Sequence, residues 1–171
     1  SKKFCCSDLM AADFDKNYVY DAYISKHLSP FYAASPVKVI IPGKKVQGKW
    51  TPLTPVDRAL MNVSTSYVFD QIEKNNQEEL GSYLMSTINM YGKLVKQELT
   101  SGNWLVLSGA GGSHPCAAFV SLNETDPSRI VIDQTLYWYL SESEDEAVYI
   151  TGLLNSDALS DIIRDFQPEG G

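Results

Sequence analysis

The sequence predicts an α+β fold, a small and mainly antiparallel sheet packed against several helices. Three observations lead there. The stretch 102–156 alternates β-rich runs with turns, and two of its runs, Trp104–Ser108 and Cys116–Leu122, flank the glycine-rich Gly109-Ala-Gly-Gly112. Helix-start signals recur at Thr54-Pro-Val-Asp57 and Ser143-Glu-Asp-Glu146. The chain has 171 residues, 44% of them hydrophobic, which suits one domain with a small appendage and a core of its own. Residues 1–52 read as a basic segment with a short strand and loops, and 53–171 as the α+β domain proper.

In chain order, the first thirty residues are mixed, with Tyr18, Tyr20 and Tyr23 close together and a short helix expected around Asp21–His27. Val37-Lys-Val-Ile-Ile-Pro42 reads as a β-branched strand closed by Pro-Gly. The most basic run follows, Gly43-Lys-Lys-Val-Gln-Gly-Lys-Trp50. Two readings compete for it. As a flexible hairpin it carries Lys44, Lys45 and Lys49 to phosphates and offers Trp50 for stacking. As a solvated turn it sends Trp50 into the core, and this plainer reading is favoured.

Thr54 as N-cap, Pro55 at the first helical position and Asp57 open a helix expected to run to about Lys74, with Leu60, Val63, Tyr67 and Ile72 on its buried side. Asn75-Asn76 is expected to break it. A second helix would then bury Leu80, Tyr83, Leu84, Ile88 and Tyr91, and Tyr91-Gly-Lys-Leu94 would end or bend it. After the glycine turn, Ile130–Tyr139 reads as a third strand. The acids at 144–146 sit where a helix dipole favours them, so helix initiation accounts for them better than a metal site. Asn155-Ser-Asp157 ends that helix and caps a last one over 158–166. The closing Pro168-Glu-Gly-Gly171 reads as a boundary inside a longer protein.

Charge narrows the function classes. Net charge is −7, yet residues 1–50 carry +4 and the remainder −11. A protein that grips nucleic acid alone is usually basic throughout, so such a role here implies a larger assembly. Three cysteines, Cys5, Cys6 and Cys116, make a poor disulfide framework, and a reducing cytoplasmic setting is expected. No apolar run approaches the roughly 20 residues of a membrane span.

Catalytic signatures are thin. The turn after Trp104–Ser108 lacks the helix of a dinucleotide fingerprint and the Gly-Lys-Ser/Thr of a P-loop, which leaves a hairpin turn. Ser113-His114 has no nucleophile elbow around it. Asp133 and Gln134 can offer an acid and an amide to a base edge, but in a strand such residues more often tie backbone together. No catalytic and no metal-binding residues are assigned.

One further reading comes from resemblance. Tyr91-Gly-Lys-Leu94, Gly109-Ala-Gly-Gly112 with Pro115-Cys-Ala-Ala118, Asp133-Gln-Thr-Leu-Tyr-Trp-Tyr139, Glu146-Ala-Val-Tyr149, Leu153-Leu-Asn-Ser156 and Phe166-Gln-Pro168 follow one another in an order that resembles the C-terminal region of N6-adenine DNA methylases of restriction–modification systems, the Eco57I-like group. The likeness covers roughly 50–168 and extends to target-recognition domains. It implies a DNA target-recognition and positioning domain with no catalytic residues of its own, or else a scaffold or protein-interaction domain of the same enzyme that does not touch DNA. It implies double-stranded DNA and an upstream methyltransferase domain as partners. The Phe-x-Gly and Asn/Asp-Pro-Pro-Tyr/Phe motifs of such enzymes are absent, so S-adenosylmethionine is expected in that other domain. The candidate DNA-binding residues are Lys44, Lys45, Lys49, Trp50, Lys93, Lys96, Gly111, Gly112, Ser113, His114 and Gln134.

Overall fold

A computed structural model of the chain describes residues 14–46, 49–80, 89–109 and 116–164. The fold is α+β, with small and mostly antiparallel sheets. The chain forms two compact units, Ser1–Tyr20 with Lys38–Glu98, and Asp21–Val37 with Leu99–Gly171. It crosses between them three times, so neither unit coincides with 1–52 or 53–171.

In the first unit, strands β1 (Val19–Tyr23, of which Val19 and Tyr20 belong here) and β4 (Val37–Ile40) are neighbours. Next comes the antiparallel hairpin of β5 (Gly43–Val46) and β6 (Lys49–Pro52). Helices α1 (Pro55–Leu60) and α2 (Val63–Leu80) complete it. The start of α1 is as read from sequence: the Thr54 hydroxyl accepts the Asp57 N–H at 3.2 Å, and Asp57 Oδ2 accepts the Thr54 N–H at 2.8 Å.

The helix breaks sooner than the sequence suggests. Met61, in extended backbone, ends the first helix, and Asn62 caps the second, its Oδ1 accepting the Thr65 N–H at 2.8 Å. From there α2 runs unbroken through Asn75-Asn76. Asparagine favours caps and turns, but its helical penalty is only several tenths of a kcal/mol, and a favourable helix absorbs it. The expected buried side also turns outward: Leu60 is 78%, Val63 85% and Tyr67 57% exposed, while Thr65, Val68 and Phe69 are buried. Of the expected second helix, 81–88 lies outside the described residues.

Aromatic rings make much of this unit's core. Tyr18 meets Phe69 edge-on at 5.8 Å, and Tyr20 lies 4.8 Å from Trp50. Polar atoms pin the same region: the Tyr20 hydroxyl donates to the Gly43 carbonyl at 3.3 Å, and the Asp15 N–H to the Thr65 hydroxyl at 2.8 Å.

The second unit is organised by β7 (Trp104–Gly109), the central strand of an antiparallel sheet in the order β10 (Leu136–Ser141), β7, β8 (Ala117–Ser121). The Gly109 N–H donates to the Cys116 carbonyl at 2.9 Å, continuing the pairing of β7 and β8. Instead of one strand over 130–139 there are two. β9 (Ile130–Ile132) pairs in parallel with Asp21–Tyr23 of β1, and a turn at Asp133–Thr135 leads into β10. The helix expected around Asp21–His27 is therefore the end of β1 followed by a 3-10 turn at Ser25–His27.

Side chains alternate across the sheet as strand geometry requires. Leu105, Leu107 and Leu136 join Tyr23, Leu122, Ile130 and Ile132 in a core on one face. A buried leucine of this kind contributes about 1.5–3 kcal/mol. Helix α3 (Glu144–Leu154) packs against the sheet through Ala147 and Thr151, both fully buried. The short pair β2 (Leu28–Ser29) and β3 (Tyr32–Ala33) lies along β8, and α4 (Asp157–Arg164) ends the described chain. No helix among the described residues is long and apolar enough to cross a membrane.

Candidate nucleic-acid interface

The candidate lysines all belong to the first unit, in two groups. The hairpin β5–β6 carries Lys44, Lys45 and Lys49, and its register sets Lys45 opposite Trp50 and Lys44 opposite Thr51. The fold uses two of these three cations internally. Lys44 Nζ lies 2.6 Å from Asp57 Oδ1, inside the capping network of α1. That ammonium, with the Thr54 hydroxyl and N–H, holds the Asp57 carboxyl down at about 2. Lys45 Nζ lies 5.2 Å from the centre of the Trp50 ring, a cation–π contact.

Trp50 itself is buried against Tyr20, so its ring is core and is not available to stack on a base. The preference for a core tryptophan over a stacking one matches this placement, and the candidate role of Trp50 in base stacking is withdrawn. Lys49, at the start of β6, is exposed. Gln47 and Gly48 lie outside the described residues.

The second group is the turn that follows Asn89. The sequence predicts Tyr91 on a buried helix face. Instead it is 83% exposed, with a left-handed backbone at φ 57°, and Gly92 follows at φ 70°. Asn89 builds this turn: its carbonyl accepts the Gly92 N–H at 2.8 Å, and its Oδ1 accepts the N–H groups of Leu94 at 3.2 Å and Val95 at 3.1 Å. The buried Leu94 and Gln97 anchor it. Lys93 and Lys96 are exposed on it beside Tyr91, and the end of the Lys96 side chain folds back over Gly92. The signal for this arrangement was in the sequence: a glycine after Tyr91 and an asparagine two residues before it mark a left-handed turn rather than a helix interior.

The remaining candidates do not join these groups. Gly111, Gly112, Ser113 and His114 lie outside the described residues. Gln134 is exposed on the Asp133–Thr135 turn of the second unit. Its neighbour Asp133 ties backbone together, donating its N–H to the Tyr23 carbonyl and accepting the Leu136 N–H on its own carbonyl, each at 2.9 Å. The Thr135 hydroxyl donates to the Asp133 carboxylate. The acids of α3 serve helix initiation: Ser143 accepts the Glu146 N–H, and the Glu146 carboxylate accepts from the hydroxyls of Ser141 and Tyr139. That carboxylate raises the pKa of Tyr139.

No protein-family model and no curated protein matches this chain.

The charge asymmetry seen along the sequence persists between the units, less steeply. The first holds eleven Lys and Arg against nine Asp and Glu, a net of +2; the second holds three against twelve, a net of −9. A polyanion would therefore be favoured on the first unit and repelled by the second.

Proposed function

We propose that the chain is a DNA target-recognition and positioning domain of an adenine-modifying methyltransferase, acting in the cytoplasm without reactive groups of its own. The observation that carries this reading is that Lys49, Lys93 and Lys96 are all exposed on the +2 unit, while the acidic excess belongs to the other. Phosphate contacts of this kind hold a duplex in register while sequence is read elsewhere. S-adenosylmethionine and the transferring groups belong to a separate catalytic domain in this reading.

The test is duplex binding by the full chain at about 50 and 200 mM salt, followed by anisotropy. The triple variant Lys49→Glu, Lys93→Glu, Lys96→Glu should bind more weakly and with a salt slope shallower by about 2–3. Lys44 is left intact because reversing it would break the Asp57 contact and confound folding with binding. Wild-type protein that ignores DNA at low salt overturns the reading.

A second reading, a protein-interaction domain of the same enzyme, is favoured by one observation. Val56, Leu60, Val63 and Tyr67, at steps of four, three and four residues, are all more than half exposed along α1 and α2. Two large apolar side chains exposed on each of two consecutive helices exceed the scattered single residues of an ordinary surface, and such surface commonly marks a protein contact.

A further inference from the structure

We infer that Tyr91 is a stacking platform for an unpaired base of DNA, with Lys93 and Lys96 taking the flanking phosphates. This rests on the reading above, in which the first unit faces DNA, and adds to it the state of the DNA that is bound.

The argument starts from what Tyr91 costs. A non-glycine residue in the left-handed region is disfavoured by about 1–2 kcal/mol, and glycine or asparagine would fill the position more easily. Burial could offset that cost, but Tyr91 is 83% exposed. The hydrogen bonds of Asn89 and of the Gly92 backbone define the turn, and these do not involve the phenol ring.

The position nevertheless carries a large flat ring on a rigid support. Leu94 and Gln97 are buried beneath the turn, and the Lys96 N–H donates to the Gly92 carbonyl at 3.2 Å. With the backbone beneath it held in this way, only the two side-chain torsions of the ring remain to be ordered on binding. Two cations follow within five residues of it. An aromatic face beside lysines is the combination that binds unstacked bases, where stacking accepts any base and the cations track the backbone. In a closed duplex the bases already stack on one another and present no free face. The partner is accordingly DNA with at least one base out of the helix, either single-stranded DNA or a duplex with an extrahelical nucleotide.

The test uses the full chain and three fluorescein-labelled probes: an oligo-dT, a duplex with one extrahelical thymine, and the fully paired duplex. Tyr91→Ala should lose about 5- to 100-fold affinity for the oligo-dT or for the extrahelical duplex, and little for the paired one. Tyr91→Phe should retain wild-type binding to each. Loss on the oligo-dT alone assigns the platform to single strands, and loss on the extrahelical duplex assigns it to a base leaving the helix. If Tyr91→Ala matches wild type on all three while the triple lysine variant binds weakly, the stacking role is overturned and the DNA reading stands. If wild type binds none of the probes, both fall. A melting curve shows whether Tyr91→Ala has kept the fold.

Discussion

Asn155 grips both backbone polar groups of Ala117. Its Oδ1 accepts the Ala117 N–H at 2.9 Å, and its Nδ2 donates to the Ala117 carbonyl at 2.8 Å and to the Thr151 carbonyl at 3.0 Å. β8 is an edge strand, and these groups point away from β7. The Phe31 N–H reaches the same Ala117 carbonyl at 2.8 Å. A sheet edge that would otherwise be open to pairing is thus closed by one side chain and one turn. Truncating Asn155→Ala leaves the Ala117 carbonyl its Phe31 donor but orphans the buried N–H. The expected loss is about 1–3 kcal/mol in urea unfolding. Asn155→Asp should not rescue it, because a carboxylate accepts the N–H but faces the carbonyl oxygen with no proton to give.

The Asp57 carboxylate gives a prediction in pH. Its pKa is about 2 in the folded chain against an ordinary 3.8, chiefly through Lys44 and then Thr54. A depressed carboxyl binds its proton more readily once unfolded. Its stabilising contribution is therefore complete above about pH 4 and is lost as pH falls through 2. In Lys44→Met the carboxyl should titrate closer to its ordinary value, since only Thr54 still holds it down. The urea midpoint of that variant should then change less steeply between pH 4 and 2 than the wild-type midpoint. An equal slope in both would remove Lys44 as the cause.

What the sequence made legible was largely local. The Thr54–Asp57 cap, the Ser143 cap and the hairpin strands around Gly109 depend on residues within a few positions of each other, so pattern alone carries them. The apolar side of α2 did not yield to the same reading. Leu60, Val63 and Tyr67 have helical spacing, but the buried residues are Thr65, Val68 and Phe69. Thr65 is held inside by two hydrogen bonds, its hydroxyl accepting the Asp15 N–H and its own N–H donating to the Asn62 cap, which periodicity cannot see. The division into units was equally hidden, because Asp21–Val37 belongs with residues beyond 98. The lysines of the hairpin and the burial of Trp50 are legible in the sequence, but its partner Tyr20, thirty residues away, is not.

Tyr91 carries a prediction about stability that is independent of any ligand. Replacing it by glycine removes a side chain that is almost wholly in solvent and relieves the left-handed backbone. Glycine also enlarges the freedom of the unfolded chain, which offsets part of the gain. The net expectation is a stabilisation of up to about 1 kcal/mol for Tyr91→Gly, seen as a higher urea midpoint. A marked destabilisation would mean that the ring supports the fold. In that event its exposure would have to be explained by packing, and the argument from its cost would fail.

The stripe on α1 and α2 separates the sequence's expectation from the structure directly. If Leu60, Val63 and Tyr67 formed a core face, cutting Leu60 to alanine would cost about 2–5 kcal/mol. With these side chains in solvent, the double variant Val63→Gln, Tyr67→Gln should stay within about 0.5 kcal/mol of wild type per site. Val68→Ala on the same helix should cost distinctly more, since Val68 is 1% exposed. Measuring the pairs side by side by urea unfolding uses one helix as its own control. The polar double variant should also be the less prone to self-association at high concentration, because it removes the apolar surface without touching the core. A large stability loss in it would place the stripe under a cover within the folded chain and withdraw the support it lends to the protein-interaction reading.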